Sequence, residues 1–280
     1  MGVKLAWHRS VLSALTTLTH PVFFINDDAY DILECSPKLY LNLVSLRNHF
    51  HPDELINLQE NFQNEGKLLV HLWEDVWQLN QKRVLSRIKS FLGLNCTLHA
   101  RKAVLVELDS TQAVNFFNDT HLQGYVKAKH YYGLLVNNEL IAMASFSDLR
   151  PMKLKGVGYT SAELIRFASK DGFTITGGLS KLIKHFLKIK NPNDLMSYAD
   201  RDWSLGSGYH QLGFELSGVT GPAYLYVELT TLRRYFPHRL PKNILTGFHE
   251  QKEVNLETYL VKNGFEKVFN TGNLKYHLYV

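Results

Sequence analysis

SYADRDWSLGSGYHQLGFE, residues 197–215, is the stretch that decides how this chain is read. A short apolar strand gives way to a polar loop holding Asp200, Arg201 and Asp202, and a glycine-flanked Tyr209 then opens a helix ending at Gly213-Phe214. Polar groups gathered where a strand passes into a helix line the ligand crevice of an open α/β sheet. Upstream, RFASKDGFTITGGLSKLIKHFLK (166–188) repeats the arrangement, with a Gly177-Gly178 turn delivering backbone N–H groups at the start of an amphipathic helix. The two together point to a phosphate-bearing cofactor beside a proton-handling tyrosine.

In the upstream helix Leu179, Leu182, Ile183, Phe186 and Leu187 form one apolar stripe, with Lys181, Lys184 and Lys188 opposite. Glycines let the backbone approach a ligand, and a helix start offers unpaired N–H groups to an anion. Thr176, Gly177, Gly178, Leu179, Ser180, Lys181 and Leu182 are therefore the cofactor-binding candidates; a tight turn packed under the sheet accounts for the same residues. Gly206 and Gly208 leave room around Tyr209, whose phenol either gives a proton to a leaving group or sits in the core with its hydroxyl satisfied. Asp200, at a strand end, either orients or deprotonates a substrate amine, or caps a helix or pairs with Arg201. Glu163 and Arg166, three apart in a strand, are expected to point to opposite faces, and with Arg201 they are the substrate-binding candidates. His121, in NDTHLQGY, is one of thirteen histidines, and a structural role is the simpler account of any one of them. No Ser-His-Asp ordering, HExxH or paired-cysteine motif occurs, so no metal site is assigned.

The 280 residues suit one large domain or two modest ones, and a 45% hydrophobic fraction is ample for a core. Apolar runs such as YYGLLV are too short to span a membrane, and the N-terminus lacks a secretory pattern. Two cysteines, Cys35 and Cys96, make no disulfide framework, which fits a reduced, cytoplasmic setting. A net charge of +5 with a pI near 9.0 admits nucleic acid as a partner. RRYFPHRLPK (233–242) reads as a solvated loop or as a phosphate-backbone contact.

The expected architecture is α/β (α+β): a mixed twisted sheet flanked by helices over 103–229, a smaller α/β module over 1–102, and a C-terminal extension over 230–280. Strands are expected at 21–25, 29–34, 66–73, 103–108 and 162–169, with helices at 38–50, 53–64 and 74–93. A helix capped by Ser110, a hairpin turning at Asn137-Asn138, a strand at 194–199 and a strand at 223–229 complete the central unit. A helix at 255–262 and a terminal strand follow. Asp27, Asp28, Asp31, Glu34, Glu74 and Asp75 are the carboxylates a Mg²⁺-dependent nuclease would use, but they form no compact motif, so a DNA-docking scaffold is the better expectation for this module.

ELIRFAS, TGGLSKLIKHFLK and LMSYADRDWSLGSGYHQLGF together resemble the central run of the GNAT acyltransferase superfamily, over about residues 103–229. That run is a strand, a pyrophosphate-binding turn and helix, a splayed strand, and a helix ending in a tyrosine-to-LGF segment. HLQG, GG-x-SKL and SY-x-D-R…G-x-x-Y-x-x-LGF are similar to a GNAT-like group of phage and bacterial genomes, and the spacing of Asp200 and Tyr209 is similar to that of Mom-type phage DNA-modification proteins. The resemblance implies a GNAT-like fold and an acetyl-CoA or other acyl-CoA-type donor with its phosphates at Gly177 to Leu182. It further implies that Tyr209 protonates the departing thiolate and that Asp200 or His121 deprotonates or positions an amine on a nucleic-acid base or presented by DNA. VHLWEDVWQLNQKRVLSRIKSFLG (70–93), followed by HARK, is similar to the end of modules related to very-short-patch-repair endonucleases, which implies a degenerate nuclease fold kept for DNA contact. The rival expectation is a DNA-binding or nuclease-associated protein in which the GNAT-like part is a scaffold.

Overall fold

The computed structural model describes residues 5–18, 21–25, 29–251 and 254–280. Its elements run α1 (Ala6–Thr16), β1 (Phe23–Phe24), β2 (Ile32–Ser36), β3 (Leu39–Val44), α2 (Pro52–Asn64), β4 (Leu68–Trp73), α3 (Glu74–Phe91), β5 (Cys96–His99) and β6 (Val104–Glu107). Then come α4 (Ser110–Thr120), β7 (His130–Val136), β8 (Glu139–Phe146), β9 (Arg150–Pro151), β10 (Thr160–Ser169), β11 (Phe173–Thr176), α5 (Gly178–Lys190) and β12 (Asp194–Asp200). The last are α6 (Ser207–Gln211), β13 (Glu215–Thr220), β14 (Tyr224–Glu228), β15 (Arg233–Tyr235), α7 (Lys242–His249), α8 (Leu256–Lys262), β16 (Phe265–Phe269) and β17 (Asn273–Tyr279). The fold is mixed α/β. Among the described residues no helix is long and apolar enough to cross a membrane.

Two compact units share these elements. One holds Met1–Gln81, Asp200–Leu205 and Thr220–Asn273, and the other Lys82–Ala199, Gly206–Val219 and Leu274–Val280. The expected contiguous division at 102 and 229 is corrected here. β14, expected to close the central unit, belongs to a three-stranded sheet of the first unit, ordered β15-β14-β16. β17, expected in a C-terminal extension, lies inside the main sheet of the second. Apolar alternation marks a strand as half-buried but says nothing about which sheet buries it.

In the second unit the main sheet is ordered β13-β17-β12-β10-β8-β7-β6, with β9 paired to β10 off that path. α5 covers one face, where Leu182, Ile183 and Phe186 pack with Tyr132, Phe146 and Leu164. α4 covers the other, through Ala113 and Phe117 against Tyr131, Met143 and Ala168. The β7–β8 hairpin turns at Asn137 and Asn138, both at positive φ (51° and 62°), the two-residue geometry that suits strand twist. α4 is capped by Asp109 rather than the expected Ser110: its carboxylate accepts the Gln112 N–H at 2.8 Å, while Gln112 Oε1 accepts the Asp109 N–H at 3.0 Å.

A fully buried carboxylate, Asp194, starts β12. It accepts from Lys155 Nζ at 2.7 Å, from Tyr159 Oη at 2.8 Å and from Ser161 Oγ. Burial pushes its pKa up, but the bonds from Lys155, Ser161 and Tyr159 outweigh that and hold it below the usual carboxylate value. A depressed folded pKa gives stability that is present above the unfolded value and lost as pH falls through the folded one. Asp194→Asn is therefore expected to lower stability at neutral pH and to flatten the acid limb of the stability–pH curve. Chemical denaturation at pH 7 and pH 3 checks both. The same bonds anchor the base of a turn whose Leu154 and Val157 are fully exposed.

In the first unit the sheet order is β1-β2-β3-β4, with β3 and β4 parallel. In place of the helix expected over 38–50 stands β3 at Leu39–Val44, buried along its whole length; a short run apolar but for Asn42 fits a central strand as well as a helix. Trp73 and Trp77 are core residues, as expected. Trp73, Val44 and Leu55 pack against Val227, Val268 and Phe269. Arg234, from the segment read as loop or phosphate contact, sits in β15 and pairs with the buried Asp75 at 2.6 and 2.9 Å.

Candidate active site

β10 and β12 pair in parallel over only three positions, Ser161↔Asp194, Ala162↔Leu195 and Glu163↔Met196. Beyond Glu163, β10 stays paired to β8 on its other edge, and the ladder to β12 ends. Ser197, the next residue of β12, bridges the start of this fork: its Oγ–H donates to the Leu164 carbonyl at 2.9 Å. With that proton committed, Ser197 Oγ accepts from the Tyr209 hydroxyl, 2.8 Å away.

Two features place Tyr209 there. Gly206, at φ +76°, caps the short α6 in a left-handed conformation that glycine adopts without strain. The ring is then clamped between Tyr276, stacked at 5.1 Å, and Phe214, edge-on at 5.3 Å. Burial pushes the phenol pKa up, while the Ser197 hydrogen bond and the charges of Arg87 and Arg166 pull it down. The hydroxyl is thus protonated at neutral pH, and its neighbours favour the anion left when it gives up that proton.

The glycine turn lies at the end of β11. Gly177, at φ +74°, is the N-cap of α5, and a Cβ on Gly178 would lie 2.4 Å from Ile175 Cγ2. One glycine is needed for backbone sign and the other for packing. The first intrahelical bond shown runs from Lys181 N to Gly177 O, so the N–H groups of the first turn stay open to an anion. In front of them is a groove of about 450 Å³ lined by His99, Arg101, Thr176, Gly177, Ser180 and Lys184, among others. Lys181 also lines it, but its Nζ donates to the carbonyls of Ala100 (2.9 Å) and Ala103 (2.7 Å). Leu182, expected at the cofactor, points its side chain into the core, and Leu179 is half-buried against it.

His121 is the C-cap of α4; its Nδ1 accepts the Gln123 N–H at 3.2 Å, which leaves the proton on Nε2. Burial, with the charges of Arg166, Arg87 and Arg83, pushes it down to about 3, so it is neutral and a weak base. Glu163 lies 3.7 Å from Arg150. The expectation that Glu163 and Arg166 face opposite sides is corrected: a bulge between Leu164 and Arg166 shifts the alternation and brings both to the α4 side. Asp200 accepts the Asp202 N–H on its Oδ1 at 3.1 Å and belongs with the first unit. Arg201 is buried there, paired with Glu60 at 3.1 Å. Glu74 accepts the Leu46 N–H at 3.1 Å, while Asp27 and Asp28 lie outside the described residues. Among the described residues no cluster of His, Cys, Asp and Glu could hold a metal ion. Ser197, Arg83 and Arg87 carry no role in the sequence reading. The signal for the arginines was their four-residue spacing on one helix face.

No family model matches the chain, and no curated protein does. Solved structures similar to it include a Bacillus subtilis acetyltransferase in complex with CoA, 12% identical, with 64% of this chain and 99% of that one covered at a TM-score of 0.36. A GNAT family acetyltransferase from Elizabethkingia anophelis with acetyl-CoA bound is 13% identical, covering 64% and 99%, at a TM-score of 0.34. The ribosomal-protein-S18-alanine N-acetyltransferase of Escherichia coli is 14% identical, covering 64% and 94%, at a TM-score of 0.35.

Proposed function

We propose that this protein is a GNAT-like acyltransferase that moves an acyl group from an acyl-CoA donor to an amine carried on a nucleic-acid base or another DNA-associated group. The observation that carries the reading is the forked sheet with the Tyr209 hydroxyl held by Ser197 at its opening. A forked parallel pair offers unpaired backbone to an extended ligand, and a protonated phenol at its mouth is the acid a departing thiolate needs. The groove at Gly177, with Arg101, Lys184 and open helix N–H groups, has the chemistry to take the donor's phosphates. The amine nitrogen forms the new C–N bond at the thioester carbonyl, the C–S bond breaks, and the sulfur receives the Tyr209 proton. The amine's surplus proton passes to water. His121, too weak a base to take it, positions the acceptor. Asp200, already accepting within its own turn, is given no chemical role.

Supporting the nucleic-acid part are the net charge of +5 and the exposed turn around Leu154 and Val157, which carries Lys153 beside Arg150 and Lys155, the last two already near Glu163 and Asp194. Calorimetry with acetyl-CoA and gel-shift titration with duplex DNA at several salt concentrations test the two parts separately. Lys184→Glu, which reverses a charge in the donor groove, is expected to weaken acetyl-CoA binding about tenfold, roughly 1.4 kcal/mol, without affecting DNA. Absence of acetyl-CoA binding by the unaltered protein refutes the transferase reading. DNA affinity independent of salt refutes the assignment of the acceptor.

A further inference from the structure

Arg166 reaches its position because of the irregularity in β10. Leu164 pairs with Phe146 and Arg166 with Ser145, which leaves one residue of β10 unmatched. Ala162, Leu164 and Phe167 pack toward α5, whereas Ala168 packs toward α4. In a regular strand, residues 164 and 166 would share a face; the bulge sends the guanidinium to the α4 side instead.

On that side Arg166 donates from Nη1 to the Ile165 carbonyl at 3.0 Å and from Nε toward the Gly124 carbonyl at 3.4 Å. Arg83 donates from Nη1 to the His121 carbonyl at 3.0 Å. Arg87, one turn further along α3, stacks over Phe91 at 4.5 Å, and among the described residues no carboxylate pairs with it. Arg87 keeps access to solvent, and desolvation by the surrounding protein lowers its pKa. Gly124, at φ +65°, carries the loop past this group; a Cβ there would lie 3.0 Å from Asn118 Oδ1 and 3.8 Å from Arg83 Nη1. Three guanidiniums thus act on His121, and two of them also on Tyr209. Asp119 acts on Arg83 from α4; like charges brought together repel one another unless an anion joins them, and a guanidinium fork matches the paired oxygens of a phosphate.

We propose that Arg83, Arg87 and Arg166 seat a phosphate of the acceptor, on the sheet face opposite the donor groove. The term acceptor rests on the transferase reading; the anion seat does not. His121 is a local reporter of this seat, faced by Arg83 and Arg87 from α3, Arg166 from β10 and Gln123 from its own loop. An anion bound among the arginines cancels part of their field and raises the pH at which the imidazole takes a proton.

The test is an NMR titration of His121 in the intact protein, alone and with inorganic phosphate, deoxyadenosine monophosphate, deoxyadenosine or trifluoroacetate, a carboxylate that stays ionised in acid. Phosphate and the nucleotide are expected to raise the His121 midpoint by about one pH unit, and deoxyadenosine to leave it unchanged. In Arg87→Ala the phosphate concentration needed for half the effect is expected to rise about tenfold, and in Arg87→Lys by less. A midpoint that phosphate does not move, or a response unchanged in Arg87→Ala, overturns the seat. Trifluoroacetate acting as strongly as phosphate overturns the assignment to a phosphate. Acetyl-CoA calorimetry on the same samples separates the two layers: a phosphate response without acetyl-CoA binding keeps the seat and overturns its assignment to an acceptor.

Discussion

Tyr209→Phe is expected to lower turnover by about 100- to 1,000-fold while leaving acetyl-CoA affinity within about twofold, the loss that follows when a positioned general acid is removed. Phenylalanine keeps the ring, and with it the stack on Tyr276 and the edge contact with Phe214, so the fork keeps its shape. What disappears is one proton and one hydrogen bond to Ser197. The leaving sulfur must then depart as a bare thiolate or take its proton from water, a weaker acid than the positioned phenol. Ser197→Ala is expected to fall between the two. It removes the hydroxyl that can turn from the Leu164 carbonyl to steady a phenolate, but not the acid itself. Single-turnover kinetics with acetyl-CoA and a single-stranded oligonucleotide read the chemical step directly. Unchanged turnover in Tyr209→Phe removes this residue from the chemistry.

Gly206→Ala is expected to destabilise the protein by about 2–4 kcal/mol, the sum of a left-handed backbone penalty and an overpacking cost. The added Cβ would meet the Tyr276 hydroxyl at 2.0 Å, at a φ of +76°. Tyr276 has no room to retreat: it is buried, stacked on Tyr209, and within 3.3 Å of His210 Nε2. The corresponding fall in melting temperature is roughly 5–15 °C. Gly208→Ala is the control, since a Cβ there meets nothing within 4 Å and α6 gains a better helix former. Equal losses in the two variants contradict this account of Gly206.

The local elements of the second unit were legible from the chain. The glycine turn, the amphipathic α5, the Asn137-Asn138 hairpin and the strand–loop–helix around Tyr209 each carry a periodicity or a backbone requirement that only a few structures satisfy. β3 was not, because LYLNLV is apolar at every position but Asn42, and a single polar residue gives no period to read. Nor was the pairing of strands distant in sequence, which is why β14 and β17 were assigned to the wrong places. At the candidate site, Tyr209 and the Gly177-Gly178 turn were visible as polar or glycine-rich interruptions. The bulge at Leu164/Arg166 was invisible, and with it the face on which Arg166 stands. Arg83 and Arg87 carried no role in the sequence, where a four-residue spacing marks only a shared helix face. Only tertiary placement distinguishes that from a cluster of cations around a neutral imidazole.

β17 is held between β13 and β12, and the polypeptide between β13 and β17 makes up part of the other unit. On a ribosome this order has a cost in time. Val44 and Trp73 emerge early, but the surfaces that cover them, from Val227 to Phe269, are translated on the order of ten seconds later. During that interval a nascent chain presents a sticky, half-finished nucleus to the cell, and holding chaperones, rather than spontaneous docking, would govern how much of it matures.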